Sequence, residues 1–233
     1  MVDHLNFEVY LFLSPQKFVI SVNKESNEKI YEEALLLDLK KKNLDLSTLD
    51  KFLNDNIFKV EKILNEFVKD INLIINCENF LSINLSIKKN NYGEKLTTKN
   101  LNYILNEARD YCSDTFKEKR LIHILINNYL IDDQKYFNFP QNLKCNHFSI
   151  DISFICLPLS YVRELENIIN KYQISLNRII SKSYMETYFL NEKISLNEMA
   201  RNIINGHNLN EVVLTTKKQK NKSFFEKFFH FFN

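Results

Sequence analysis

Nucleophilic and metal-assisted chemistry needs cysteines, histidines and acids at set spacings, and this sequence offers few. Cys77, Cys112, Cys145 and Cys156 form no C-x-x-C pair, so neither a zinc site nor a dithiol couple is read from them. They are expected to be reduced thiols packed in a core. Cys145 and His147 sit too close along one strand to act as nucleophile and base without a third partner. His147 and Asp151 could share a strand face, as many solvent-facing pairs do. His123 lies within an apolar strand and is expected to be a packed, hydrogen-bonded histidine. No H-E-x-x-H, G-x-S-x-G or Walker pattern occurs. Two glycines in 233 residues argue against a Gly-rich phosphate loop. No catalytic, cofactor-binding or metal-binding residue is therefore assigned, and the chain is not expected to be an enzyme.

The stretch that must position any site runs from Arg120 to Cys156. Arg120 to Asp132 is apolar on both faces between Leu121 and Ile126, which predicts a deep strand in the middle of a sheet. Asn146 to Cys156 alternates Phe148, Ile150, Ile152 and Phe154 with His147, Ser149, Asp151 and Ser153. That period of two predicts a strand with one buried face. Helical patterns flank the pair, over Leu101 to Tyr111 and Val162 to Tyr172.

Upstream, Phe7 to Leu13 and Phe18 to Val22 read as a hairpin around Ser14-Pro15-Gln16-Lys17. Ile30 to Leu39 suits either a helical turn or a third strand. From Ser47 as N-cap a long amphipathic helix is predicted to run to about Ile71. Short strands are predicted over Leu73 to Asn76 and Phe80 to Ile87, then a turn at Asn90-Asn91-Tyr92-Gly93. Thr97 or Thr98 opens a helix with Leu101, Ile104, Leu105, Ala108 and Tyr111 on its apolar side. Pro158 marks a helix start, and Ile174 to Ile180 is a last strand leading to a helical segment ending near Phe189. Ser195 and Glu198 make a capping box closed by Gly206. Residues 207–222 are polar and Lys-rich and read as a mobile linker.

The last segment has its own character. Ser223 and Glu226 form a second capping box. At 100° per residue, Phe224, Phe225, Phe228, Phe229, Phe231 and Phe232 fall within an arc of about 160°. Lys217, Lys218, Lys220 and Lys222 precede them with no acid among them. An aromatic amphipathic helix behind a basic stretch suits an anionic membrane interface, where each Lys contributes about 1 kcal/mol. These ten residues are the predicted membrane-binding set. The alternatives are docking on the protein's own core and docking in a partner's groove.

Arg120-Leu-Ile-His-Ile-Leu-Ile-Asn-Asn-Tyr-Leu-Ile-Asp132 resembles the strand of the bacterial division protein FtsA that runs basic, apolar, apolar, His, apolar, then Tyr, apolar, apolar, Asp. Pro140 and Leu143 stand where that family has a Pro-x-Gly-Leu-x-Gly turn, with Asn142 and Cys145 in place of the glycines. The resemblance covers residues 90–189 well, 7–89 more loosely and the terminus by type. It implies an α+β protein: a partial actin-like first subdomain, an FtsA-type strand–helix–strand–strand module, a linker and a terminal amphipathic helix. The implied divisions are 1–89, 90–189, 190–222 and 223–233. In the actin-like superfamily the first hairpin holds an acid, a glycine and a hydroxyl residue around the nucleotide phosphates. Here Phe12, Ser14 and Pro15 take those places, and Pro15 removes an amide donor. The second phosphate loop and the second half of the actin fold, where the FtsZ tail binds in that family, have no counterpart in these residues. ATP binding is not expected, and the chain reads as a truncated, degenerate relative.

The resemblance implies a non-catalytic cell-division adaptor at the cytoplasmic face of the inner membrane. Its partners would be anionic lipid and division proteins, FtsZ or other divisome members, with self-association a further possibility. Two other readings compete. One is a PilM-like pilus adaptor of the same actin-like ancestry. The other is a ferredoxin-like nucleic-acid module built from the strand–helix–strand–strand–helix–strand order between Phe80 and Ile180. Aliphatic central strands and the lack of an RNP-like pattern weigh against nucleic acid.

Overall fold

The structure, a computed structural model, describes residues 7–213. The architecture is α+β, with two sheets and five helices among these residues. The chain divides into two compact units, residues 7–80 with 159–204, and residues 81–158 with 205–213. Residues 81–158 of the second unit are thus inserted in sequence within the first.

The first unit carries a five-stranded sheet, in the order β3-β2-β1-β4-β9. β1 (Phe7–Ser14) and β2 (Lys17–Lys24) form the expected hairpin, paired from Phe7↔Lys24 to Ser14↔Lys17. The ambiguous third segment is a strand, β3 (Lys29–Leu36), antiparallel to β2. β4 (Asp70–Ile75) and β9 (Ser175–Ser181) run parallel to β1, and Leu73, Ile74 and Ile75 are wholly buried. A strand covered on both faces needs such an unbroken apolar run.

Helix α1 (Leu46–Leu64) begins two residues earlier and ends well before the limit its periodicity suggested. Asp45, not Ser47, is the N-cap and accepts from the Thr48 amide at 3.1 Å. Asn65 adopts a left-handed φ of 56° and stops the helix, so Ile71 belongs to β4. Asn56 lies in the buried stripe without cost, because its amide donates to the Phe52 carbonyl and its oxygen accepts from Tyr31 Oη, both at 2.8 Å. Helices α3 (Leu159–Asn170), α4 (Lys182–Tyr188) and α5 (Leu196–Ile204) complete the unit. α5 is held by Arg201, which donates to Glu8 Oε2 at 2.6 Å and to the Lys24 and Glu25 carbonyls at 2.7 Å.

The second unit carries a four-stranded sheet, in the order β5-β8-β6-β7, with α2 (Thr98–Thr115) packed on one face. β5 (Leu81–Asn90) and β8 (His147–Pro158) pair over ten residues, and β6 (Lys119–Ile131) pairs β8 on its other side. β8 and β6 are therefore the two inner strands, as expected of β6, whose other neighbour is the three-residue β7 (Gln134–Tyr136). Thr97 caps α2 in a capping box with Asn100. The buried face of α2 is Leu101, Ile104, Ala108 and Cys112, while Tyr111 is 58% exposed. β9 joins β4 and not this sheet, so the ferredoxin-like arrangement is excluded.

Candidate interaction surface

The polar groups of the β1–β2 hairpin are taken up by the protein itself. Ser14 Oγ accepts from the Lys17 amide at 3.0 Å and donates to the Lys17 carbonyl at 3.1 Å. The Gln16 carbonyl accepts from the Leu37 amide at 2.8 Å, and its side chain donates to the Lys41 carbonyl at 3.0 Å. Pro15 has no amide to offer. The hairpin is a tight, self-satisfied turn.

His123, His147 and Cys145 likewise have structural partners. His123 is buried, with Nδ1 2.7 Å from Glu211 Oε1. The sequence reading of His123 as a packed, bonded histidine holds, but its partner comes from the stretch taken for a linker. Residues 208–212 are not a free linker. The Ile126 amide donates to the Asn210 carbonyl at 2.9 Å, the Val212 amide donates to the Ile124 carbonyl at 2.8 Å, and Leu125 and Glu211 form an antiparallel bridge. This short strip hydrogen-bonds along the outer edge of β6. Its signal was Val212-Val213, an apolar pair in a polar tract.

His147 does not pair with Asp151. Its ring lies near Asp132, at 3.2 Å, and Asp133, at 3.4 Å. Asp132 and Asp133 adopt φ values of 44° and 67° at the β6–β7 turn, as a tight hairpin turn requires. The Asp132 carboxylate also accepts from the Asn146 and His147 amides at 2.9–3.1 Å. Those amides, with the His147 and Lys88 charges, hold it below the usual carboxylate range. Cys145 is buried, accepts from Asn91 Nδ2 at 3.4 Å, and has its thiol pushed up by burial. No dyad with His147 is assembled. Among the described residues no group of three or more His, Cys, Asp or Glu is placed to hold a metal ion.

What remains open is the sheet face opposite α2. The side chains of Ser82, Asn84, Ser86 and Lys88 on β5 are exposed there, next to Asp151 and Ser153 on β8 and Asn127 on β6. Ser153 Oγ donates to Asn84 Oδ1 at 2.6 Å and accepts from Asn127 Nδ2 at 2.7 Å. This ladder ties three strands across a small-residue polar surface. It offers hydroxyl and amide groups for hydrogen bonding. On the helix side, Tyr103 is 65% exposed beneath the Lys89 ammonium, which also pairs with Glu107 at 2.7 Å.

The predicted membrane-binding residues Lys217, Lys218, Lys220, Lys222, Phe224, Phe225, Phe228, Phe229, Phe231 and Phe232 lie outside the described residues. Among the described residues no helix is long and apolar enough to cross a membrane.

No protein-family model matches the sequence, and no curated protein matches it. Solved structures similar to the chain are of actin-like ATPase-fold proteins. The PilM–PilN type IV pilus biogenesis complex matches with 6% identity and a TM-score of 0.49, over 78% of this chain and 49% of that one. The cytoplasmic domain of EpsL, an inner membrane component of the Vibrio cholerae type II secretion system, matches with 11% identity and a TM-score of 0.36, over 77% and 57%. A Bacteroides thetaiotaomicron protein with an actin-like ATPase fold matches with 13% identity and a TM-score of 0.36, over 84% and 61%. The chain thus spans between about half and three fifths of the length of these three structures.

Proposed function

We propose that this chain is a non-catalytic adaptor of FtsA-like type, holding a protein partner at an anionic membrane surface. The observation that carries the reading is the polar sheet face of the second unit: a continuous Asn84–Ser153–Asn127 ladder on a unit whose other face is all core. Such a face offers contact without chemistry. The hairpin at Ser14–Lys17, closed on its own polar groups, supports a role without ATP. Phe224, Phe225, Phe228, Phe229, Phe231 and Phe232 are the insertion face, and Lys217, Lys218, Lys220 and Lys222 draw the segment to anionic headgroups. Division proteins are the favoured partners on the strength of the β6 sequence; a pilus partner would make the chain PilM-like.

The test is flotation of the full chain with vesicles of phosphatidylglycerol and phosphatidylethanolamine, beside Phe228→Asp and Phe229→Asp. The wild type is expected to float and both variants to remain in the dense fraction. A wild type that stays dense at low salt removes the membrane half of the proposal. The partner half is read separately, by capture of purified division or pilus proteins with Asn84→Arg and Ser86→Arg as negative controls.

A further inference from the structure

The two sheets have four lateral edges, and three of them are blunted. β3 carries Lys29, Glu32 and Glu33 and slips register against β2 at Val22/Asn23. β9 carries Arg178 and its pairing with β4 slips at Ile71/Asn72. On the β6 side of the second sheet, the short β7 and the Leu125–Glu211 bridge take up the edge. Charges, irregular register, and short or covered strands are the devices that stop a sheet from recruiting another strand.

β5 is the least protected, having of these devices only the charges of Lys88 and Lys89 at one end. It is 10 residues long, and its pairing with β8 runs without a slip from Leu81↔Cys156 to Asn90↔His147. It contains no proline and no acid, and its charges, Lys88 and Lys89, sit together near one end. Among the described residues no backbone hydrogen bond joins β5 to anything but β8. Its core-side residues Leu81, Ile83, Leu85 and Ile87 are only half-buried, so the apolar layer is left incomplete at this edge.

We infer that β5 pairs antiparallel with β5 of a second copy, about a two-fold axis at Asn84. β5 is its own best complement. With Asn84 facing Asn84, Leu81 faces Ile87 and Ile83 faces Leu85, each pair occurring twice, as a two-fold interface requires. On the polar face Ser82 meets Ser86. Lys88 and Lys89 fall beyond the paired segment, so no like charges oppose each other. The result is a continuous eight-stranded sheet with both copies of α2 on one side. The pairing closes on itself and so yields a dimer, not a filament, and it does not depend on the adaptor reading.

The test is the mass of the full chain in lipid-free solution by light scattering, over a range of concentrations. The wild type is expected at twice its 27.8 kDa chain mass. Ser82→Lys with Ser86→Lys, both at exposed positions, sets lysines against each other across the seam and should halve the mass without lowering the thermal midpoint. Under mild oxidation, Asn84→Cys should give a cross-linked dimer on its own. Ser82→Cys should cross-link to Ser86→Cys but neither to itself, with the native-cysteine chain as control. A wild type that stays at the chain mass overturns the proposal, as does a doubled mass that survives the paired lysines. Cross-linking of Ser82→Cys to itself overturns the register.

Discussion

His123 Nδ1 stands 2.7 Å from Glu211 Oε1, and the two side chains are 0% and 3% exposed. Eighty-eight residues separate them in sequence, so this contact fastens the end of the described chain to the middle of its second unit. Glu211→Ala takes the carboxylate from Nδ1 and loosens the bridge to Leu125. A loss of about 1–3 kcal/mol is expected, read as a lower urea midpoint. The Ile126 and Val212 amides, whose acceptors lie across the same junction, should exchange with deuterium faster in that variant.

Asp132 gives the second unit a defined acid sensitivity. Its carboxylate is held low by the Asn146 and His147 amides, so the folded state favours the ionised form. The stabilisation is complete above the ordinary carboxylate value of about 3.9 and is lost as pH falls through the lower folded value. Asp132→Asn should therefore melt below the wild type at pH 6 to 7. The gap should narrow under strongly acidic conditions. A gap that stays constant down to the lowest accessible pH would exclude the carboxylate as its source.

The thiols should separate by burial. Cys112, Cys145 and Cys156 are buried and Cys77 is half-buried. Desolvation pushes Cys156 up to about 12, with Cys112 beside it adding to the shift, and raises the other three thiols as well. With Ellman's reagent at pH 8, Cys77 should react first and slowly, since only the thiolate attacks. The other three should react only on unfolding, and Cys77→Ser should abolish the early phase.

Adjacent residues of β8 should differ sharply. Ile152 is wholly buried in the core under α2, and Ile152→Ala should cost about 2–5 kcal/mol through the cavity it leaves. Ser153 points to the open face. Ser153→Ala gives up its bonds to Asn84 and Asn127 but leaves both where water reaches them, so about 0.5–1.5 kcal/mol is expected. Denaturant unfolding of both variants checks the contrast.

Much of this fold is written in local sequence. The hairpin around Pro15-Gln16, the alternation of β8 and the Thr97 cap each rest on a few neighbouring residues, and each was read in place. The errors have long-range causes. Ile71 kept the helical interval of α1, but the left-handed Asn65 ended the helix before it. The inner place of β6, between β8 and β7, was legible from its apolar run, but the strip over 208–212 on its edge was not. The His147–Asp151 pair was a question of strand faces, and a turn at Asp132 and Asp133 answered it. The polar face opposite α2 could be read residue by residue, as Ser82, Asn84, Ser86 and Ser153, but its ladder needed the register of three strands.

The insertion of the second unit between β4 and α3 sets an order of assembly on the ribosome. β4 must wait for β9: Asn72 and Asn177, which share a hydrogen bond, are 105 residues apart. Between their emergence the whole β5–β8 sheet with its helix is synthesised, and it needs nothing from β9 to pair. The four strands of that sheet are thus complete before β9 emerges, and only the strip over 208–212 follows later. Until β9 arrives, the apolar edge of β4 is exposed as an unpaired strand, and slow closure of that edge is where misfolding of the nascent chain would concentrate.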